Sequence, residues 1–104
     1  MAFTEVDYLN GGGGGDKELY TFSTTLTDTN WVSTSWTAKN MMMLVFNTGN
    51  KSAAWNGWID ENGTIQELYN PSNNMRAQIN NGIVEVKSTI LSYRADTISA
   101  AALG

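Results

Sequence analysis

The ten carboxylates of this 104-residue chain are its most versatile reactive side chains, because the other usual reagents are missing. The chain has no His and no Cys, which removes the commonest general base, the commonest metal ligand and every thiolate. Two carboxylates can cleave a glycosidic bond when a cleft holds them ~5–9 Å apart. No spacing here marks such a pair. Asp60 and Glu61 fall in a turn, Glu85 on the polar side of a strand, and Glu5 and Asp7 near the start. Asp60-Glu61-Asn62-Gly63 is only loosely like a calcium loop: its Gly stands fourth where an EF-hand needs it sixth, and strands flank it where helices should. The expectation is a protein that is not an enzyme and uses no metal or cofactor.

Five consecutive glycines, Gly11–Gly15, raise the question of phosphate binding. A phosphate-cradling loop needs Gly-Lys-Ser/Thr between a strand and a helix, so that backbone amides converge on the anion. This run continues Asp16-Lys17-Glu18, where two carboxylates repel phosphate, and a strand pattern follows. The run therefore reads as a joint over 11–16, between an arm over 1–10 and a β domain over 17–104. Phe3, Val6, Tyr8 and Leu9 make the arm too apolar for a purely solvated tail. Phe3, Tyr8 and Leu9 are candidate contact residues, docking on this domain or on a neighbouring subunit.

The elements beyond the joint alternate with period two, the strand signal. Tyr20, Phe22, Thr24 and Leu26 share one side of a first strand, and Val32, Thr34, Trp36 and Ala38 one side of a second. Met41 to Phe46 is a continuous apolar run, which predicts a central strand covered on both faces, with Met41-Met42-Met43 in the core. Asn81-Gly82 predicts a two-residue hairpin turn, since both central positions need positive φ. That register sets Ile79 opposite Val84 and Ala77 opposite Val86, and gathers Met75, Ala77, Ile79, Val84 and Val86 on one apolar face. Around Asn62-Gly63 a three-residue loop, Glu61-Asn62-Gly63, matches the pattern better. It faces Ile59 with Ile65 and Trp55 with Tyr69, leaving Asn56, Trp58, Gln66 and Leu68 opposite. Leu91 and Tyr93 begin another strand pattern, and the Ala-rich tail fits a last strand or a short helix. The fold expected is all-β, a small antiparallel β-sandwich or barrel of about seven or eight short strands with an N-terminal arm.

Of the four tryptophans, Trp36 and Trp55 fall on predicted inward faces. Trp31 starts a strand. Trp58 lies on the more polar face beside Leu68. An exposed Trp stacks on sugars or anchors protein interfaces, unless another element covers it. Trp58 and Leu68 are thus candidate contact residues for a partner protein or a glycan.

Composition narrows the partners. Net charge −4 with six scattered Lys and Arg opposes a nucleic-acid surface. No segment approaches the ~18 consecutive apolar residues of a membrane helix. The start "MAFTEVDYLN" has acidic residues where a secretory signal has basic ones, which predicts cytoplasmic synthesis without signal-peptide export. Twelve Asn, twelve Thr and one Pro suit a strand-rich domain with many turns.

An arm and glycine joint, "MAFTEVDYLNGGGGG", ahead of a compact, acidic, Cys-free body rich in Asn, Thr, Gly and aromatics resembles the small structural proteins of tailed bacteriophages. The resemblance implies a virion protein with a head-decoration, head-fibre or tail-associated role, forming homo-oligomers or binding other virion proteins. It transfers no specific residues. The alternative is a carbohydrate-binding, receptor-binding β module that uses Trp58 or Trp31 as its stacking platform.

Overall fold

The computed structural model describes residues 17–48, 54–90 and 96–104. The arm with Phe3, Tyr8 and Leu9, the glycine joint, and the strand pattern at Leu91 and Tyr93 lie outside the described residues. Eight strands are present among those described: β1 Leu19–Leu26, β2 Val32–Thr37, β3 Met43–Thr48, β4 Ala54–Ile59, β5 Ile65–Tyr69, β6 Met75–Asn80, β7 Ile83–Ser88 and β8 Asp96–Leu103. They form a five-stranded sheet in the order β1-β8-β3-β4-β5 and a three-stranded sheet in the order β2-β7-β6. All pairings are antiparallel. The molecule is a β-sandwich, one of the two architectures that its strand spacing predicts.

The core lies between the two sheets. Trp36 of the smaller sheet stacks on Phe46 of the larger at 6.3 Å between ring centroids, with Phe22 edge-on at 6.4 Å and Tyr20 tilted at 6.1 Å. Phe46 in turn meets Trp55 at 5.6 Å. Leu26, Met42, Leu44, Ile59, Met75, Val84, Val86, Ile98, Ala100 and Ala102 complete the buried set. The Ala-rich tail is a strand although Ala favours helices, because tertiary packing outweighs propensity. Ala100 is paired in register with Phe22 on one side and Phe46 on the other, and small side chains there leave room for both rings.

The β6–β7 hairpin has the predicted register: Ile79 pairs with Val84 and Ala77 with Val86. Its turn residues Asn81 and Gly82 both take positive φ, 52° and 80°. The polar face closes with a 2.7 Å hydrogen bond from Gln78 Nε2 to Glu85 Oε1.

Two bulges show how parity governs a sheet. In β2, Thr34, Ser35 and Trp36 stand against Val84 alone, with Ser35 at φ 67°. The Thr34 hydroxyl donates to the Val84 carbonyl at 2.8 Å and accepts from Trp36 N at 3.1 Å. Two surplus residues leave the period-two pattern in phase, so Thr34 and Trp36 remain buried as the simple alternation predicts. In β5 the surplus is one residue. The loop opens with Ile59 opposite Ile65, as expected, and Gly63 takes φ 83°. Glu67 then pairs with Gly57 but Tyr69 pairs with Asn56, leaving Leu68 without a partner. One surplus residue reverses parity, so the expected pairing of Trp55 with Tyr69 is incorrect and Tyr69 turns outward.

The reading of Met41–Phe46 as covered on both faces is also corrected. The strand is central, third of five, but begins at Met43 and follows a turn in which Met41 has φ 65°. Met42, Leu44 and Phe46 are buried, whereas Met41, Met43 and Val45 are 53 %, 49 % and 45 % exposed. A two-layer sandwich covers only one face of each sheet, so of the three methionines only Met42 is core.

Candidate interaction surface

Register places side chains in rows across the outer face of the five-stranded sheet, since residues paired across antiparallel strands point to the same side. Leu19, Leu103, Met43, Trp58 and Gln66 form the row where β1 begins. Thr21, Ala101, Val45, Asn56 and Tyr69 form the next, and Ser23, Ser99, Asn47 and Ala54 the third. None of these residues is charged. The face is graded, from long apolar side chains at the start of β1 to hydroxyls and amides farther along.

Exposure makes the gradient consequential. Leu19 is 69 % exposed, Tyr69 52 % and Leu103 38 %. Trp58 is half-buried, with Met43 and Gln66 on either side in register. Leu19, Met43, Val45, Ala101, Ala102 and Leu103 line a shallow hollow of about 130 Å³. That approaches the ~150 Å³ that accommodates a benzene ring in a protein interior. The outer face of the three-stranded sheet is built differently. It carries the pairs Arg76–Lys87 and Gln78–Glu85, the composition of a solvated surface.

The other predicted contact residue on the sheet, Leu68, does not join this row. It is the unpaired residue of the β5 bulge, 68 % exposed at the sheet's edge strand. Trp31 is half-buried, and Lys87 Nζ sits 4.9 Å from its ring centroid, so that ring face is already engaged. Trp36 and Trp55 are core, as predicted.

Polar groups around the face are engaged in holding turns and edges. The Asp60 carboxylate accepts hydrogen bonds from Asn62 N, Thr64 N and Gln66 Nε2, each at 2.9 Å. These donors, the Thr64 amide first, hold its carboxyl below the usual Asp range. Gln66, the row neighbour of Trp58, is thereby tethered to Asp60. Glu67 Oε1 accepts from Trp55 Nε1 at 2.7 Å and from Asn70 Nδ2 at 3.1 Å, while Asn70 Nδ2 also donates to the Met75 carbonyl at 2.9 Å. That chain of bonds ties β5 to the start of β6 and fixes the indole of Trp55. At the start of β1, Glu18 accepts from the Tyr20 hydroxyl at 3.1 Å and lies 3.6 Å from Lys39 Nζ. Tyr20, and then Glu18, raise the Lys39 ammonium above its ordinary pKa.

Among the described residues no three His, Cys, Asp or Glu side chains gather as a metal site. Nor is any helix long and apolar enough to cross a membrane. Comparison with family models, with curated proteins and with solved structures finds no match to this chain.

The residues that sequence reasoning missed are Leu19, Met43, Val45, Tyr69 and Leu103. For Met43 and Val45 the signal was present in the unbroken run from Met41 to Phe46. In a two-layer fold such a run means an apolar outer face, not burial on both sides.

Proposed function

We propose that this chain is a non-enzymatic structural protein of a virion, assembling with copies of itself or with a capsid or tail lattice through the outer face of its five-stranded sheet. The observation that carries this reading is the uncharged row Leu19, Leu103, Met43 and Trp58, continued by Val45 and Tyr69. Contiguous apolar surface on a soluble domain marks an interaction site, and charge depletion is the compositional sign of an interface centre. Repetition on a lattice lets modest contacts act together through effective concentration. The virion setting comes from the resemblance of the arm, joint and composition to small phage structural proteins.

Light scattering on size-exclusion fractions tests the assembly. The wild-type chain is expected to rise above monomer mass with concentration, and the double variant Met43→Glu, Val45→Glu to remain monomeric with an unchanged thermal melt. A wild type that stays monomeric at all concentrations, and does not sediment with virus particles, refutes the reading.

A second reading, a carbohydrate-binding module, draws on Trp58 and the amide of Asn56 in the adjacent row. Met43 beside Trp58 and the tether on Gln66 favour a protein contact. Glycan-array binding abolished by Trp58→Ala would reverse that preference.

A further inference from the structure

The two sheets end in the edge strands β1, β5, β2 and β6, and all but one of these edges are blunted. We infer that the open one, β1, pairs antiparallel with β1 of a second copy of this chain, about a two-fold axis at Phe22, so that two five-stranded sheets become one. The inference goes beyond the outer-face reading, because the groups it uses are the backbone amides and carbonyls of the sheet's edge.

An edge strand offers unpaired N–H and C=O groups to any other strand, and sheets guard against this with short strands, charge and bulges. β5 is only five residues long and is bulged at Leu68. β2 is bulged too, and its Ser35 and Trp36 amides donate to the Ser33 and Thr34 hydroxyls. β6 carries Arg76, and its Met75 carbonyl already accepts from Arg76 Nη1 and Asn70 Nδ2. β1 has none of these devices. It runs for eight residues without charge, Gly or Pro, in unbroken register with β8 from Leu19–Leu103 to Leu26–Asp96. Glu18 and Gly104 exchange both backbone bonds just before that register begins. Antiparallel alternation then turns the backbone groups of Tyr20, Phe22, Thr24 and Leu26 toward β8, and those of Leu19, Thr21, Ser23 and Thr25 away from it. No described strand meets this second set.

That set is complementary to itself, which selects a second copy as the occupant. A two-fold at Phe22 places Leu19 opposite Thr25 and Thr21 opposite Ser23 of the other copy. Every outward-turned residue then meets another, and each such pair exchanges two backbone bonds. The side chains agree. Thr and Ser hydroxyls face each other across the strands, and no like charges are opposed because the strand has none. On the inner side, half-buried Phe22 meets its own copy at the closer spacing of a non-hydrogen-bonded pair. The arrangement also closes. Both open edges are used, and the joined sheet ends at each side in β5, where shortness and the bulge stop growth. One strand pair buries little surface, so the pairing is weak in free solution and does not hold a dimer through size exclusion. Subunits gathered on a lattice gain it through effective concentration, and this last role rests on the assembly reading.

Covalent capture tests the register. Two full-length single-cysteine chains, Leu19→Cys and Thr25→Cys, are mixed in equal amounts at high concentration in a glutathione redox buffer. Both positions are exposed, and the chain has no other thiol. In the inferred register the mixed pair is adjacent, whereas like positions stand about 20 Å apart along the strands. The expected result is a mixed disulfide dimer several-fold above the proportion that random collision gives. Ser23→Pro in both chains should abolish the excess with little change in the melt, because that amide points away from β8 and an edge strand tolerates Pro there. Thr21→Pro should do the same. A random mixture would leave the edge to a strand of some other protein, an excess of like dimers would mean parallel pairing, and an excess that survives both prolines in folded chains would mean a contact outside the edge backbone. Each of these overturns the inference. The mixture is repeated with Met43→Glu, Val45→Glu in both chains. An excess lost there means that the outer face made the contact, which also overturns the inference. An excess kept there, with a wild type that neither associates on size exclusion nor sediments with virus particles, means that the edge pairing stands and the outer-face reading fails.

Discussion

At the residue scale, two tryptophans of one strand serve opposite purposes. Trp55 is buried, with its indole nitrogen bonded to Glu67 and its ring against Phe46. Trp58, three positions on, faces outward in register with Met43. Truncation of Trp55 to Ala should cost about 3–5 kcal/mol, the range for a large buried aromatic. Trp58→Ala should cost less than that, because Trp58 is only half-buried and keeps part of its surface in water. Urea denaturation of both variants checks the contrast, and a Trp58 loss as large as that of Trp55 would make it a core residue. Asp60 gives a prediction in pH. Its carboxyl titrates below the usual value because three donors hold the charged form. A lowered folded pKa means that the native state binds the proton less readily than the unfolded chain. The contribution is therefore complete above the ordinary Asp value of about 3.9 and is lost as pH falls through the lower folded value. Asp60→Ala should lower stability near neutrality and flatten its decline across that acid window, in melts recorded as a function of pH. The group is open to solvent, so the effect should be modest.

At the scale of elements, glycine shows two constraints that one substitution separates. Gly82 sits at φ 80° with nothing near the position of an added Cβ. Gly82→Ala therefore costs only backbone strain, about 1–2 kcal/mol for a left-handed residue. A Cβ on Gly57 would collide with the Gln66 carbonyl oxygen and the Trp55 ring. Gly57→Ala must therefore displace the core, at roughly 1–3 kcal/mol or more. Hydrogen exchange distinguishes the two: the Gly82 variant should loosen the β6–β7 turn locally, while the Gly57 variant should lower protection throughout the larger sheet. The β6–β7 hairpin was fully legible in the sequence, because turn chemistry and alternation agree there. The β4–β5 turn was legible, but the strand beyond it was not. No residue type marks Leu68 as surplus, and a single surplus residue inverts every later assignment in its strand. The three-against-one bulge in β2 was equally invisible but harmless, since two surplus residues restore the phase. The apolar row of the candidate site was half legible. Trp58 stood out by its polar neighbours, whereas Met43 and Val45 were hidden within a run that their own alternation with Leu44 and Phe46 should have divided.

At the scale of the molecule, strand order sets what the fold can lose. The last strand, β8, lies between β1 and β3 and contributes Ile98, Ala100 and Ala102 to the core. The residues flanking β1 and β8 are also joined by backbone bonds, Glu18 N to Gly104 O at 2.7 Å and Gly104 N to Glu18 O at 3.0 Å. Without β8, the first strand has no partner in the larger sheet, and the inner side chains Tyr20 and Phe22 lose the backbone that holds them against Trp36. A chain ending at residue 95 should therefore lack a cooperative thermal transition and show collapsed amide dispersion in its proton–nitrogen spectrum. Loss of residues 1–10 should leave dispersion and melting nearly unchanged, because β1 begins beyond the joint and pairs with β8 from Leu19 onward. A dispersed, cooperatively melting chain without β8 would mean that β3, β4 and β5 with the smaller sheet form a sufficient core by themselves. The pairing of the first and last strands also predicts slow folding for a chain of this size, in the range of milliseconds to seconds typical of β-sandwiches. Stopped-flow tryptophan fluorescence reads that rate directly, since Trp36 and Trp55 acquire their aromatic neighbours only when the two sheets close on each other.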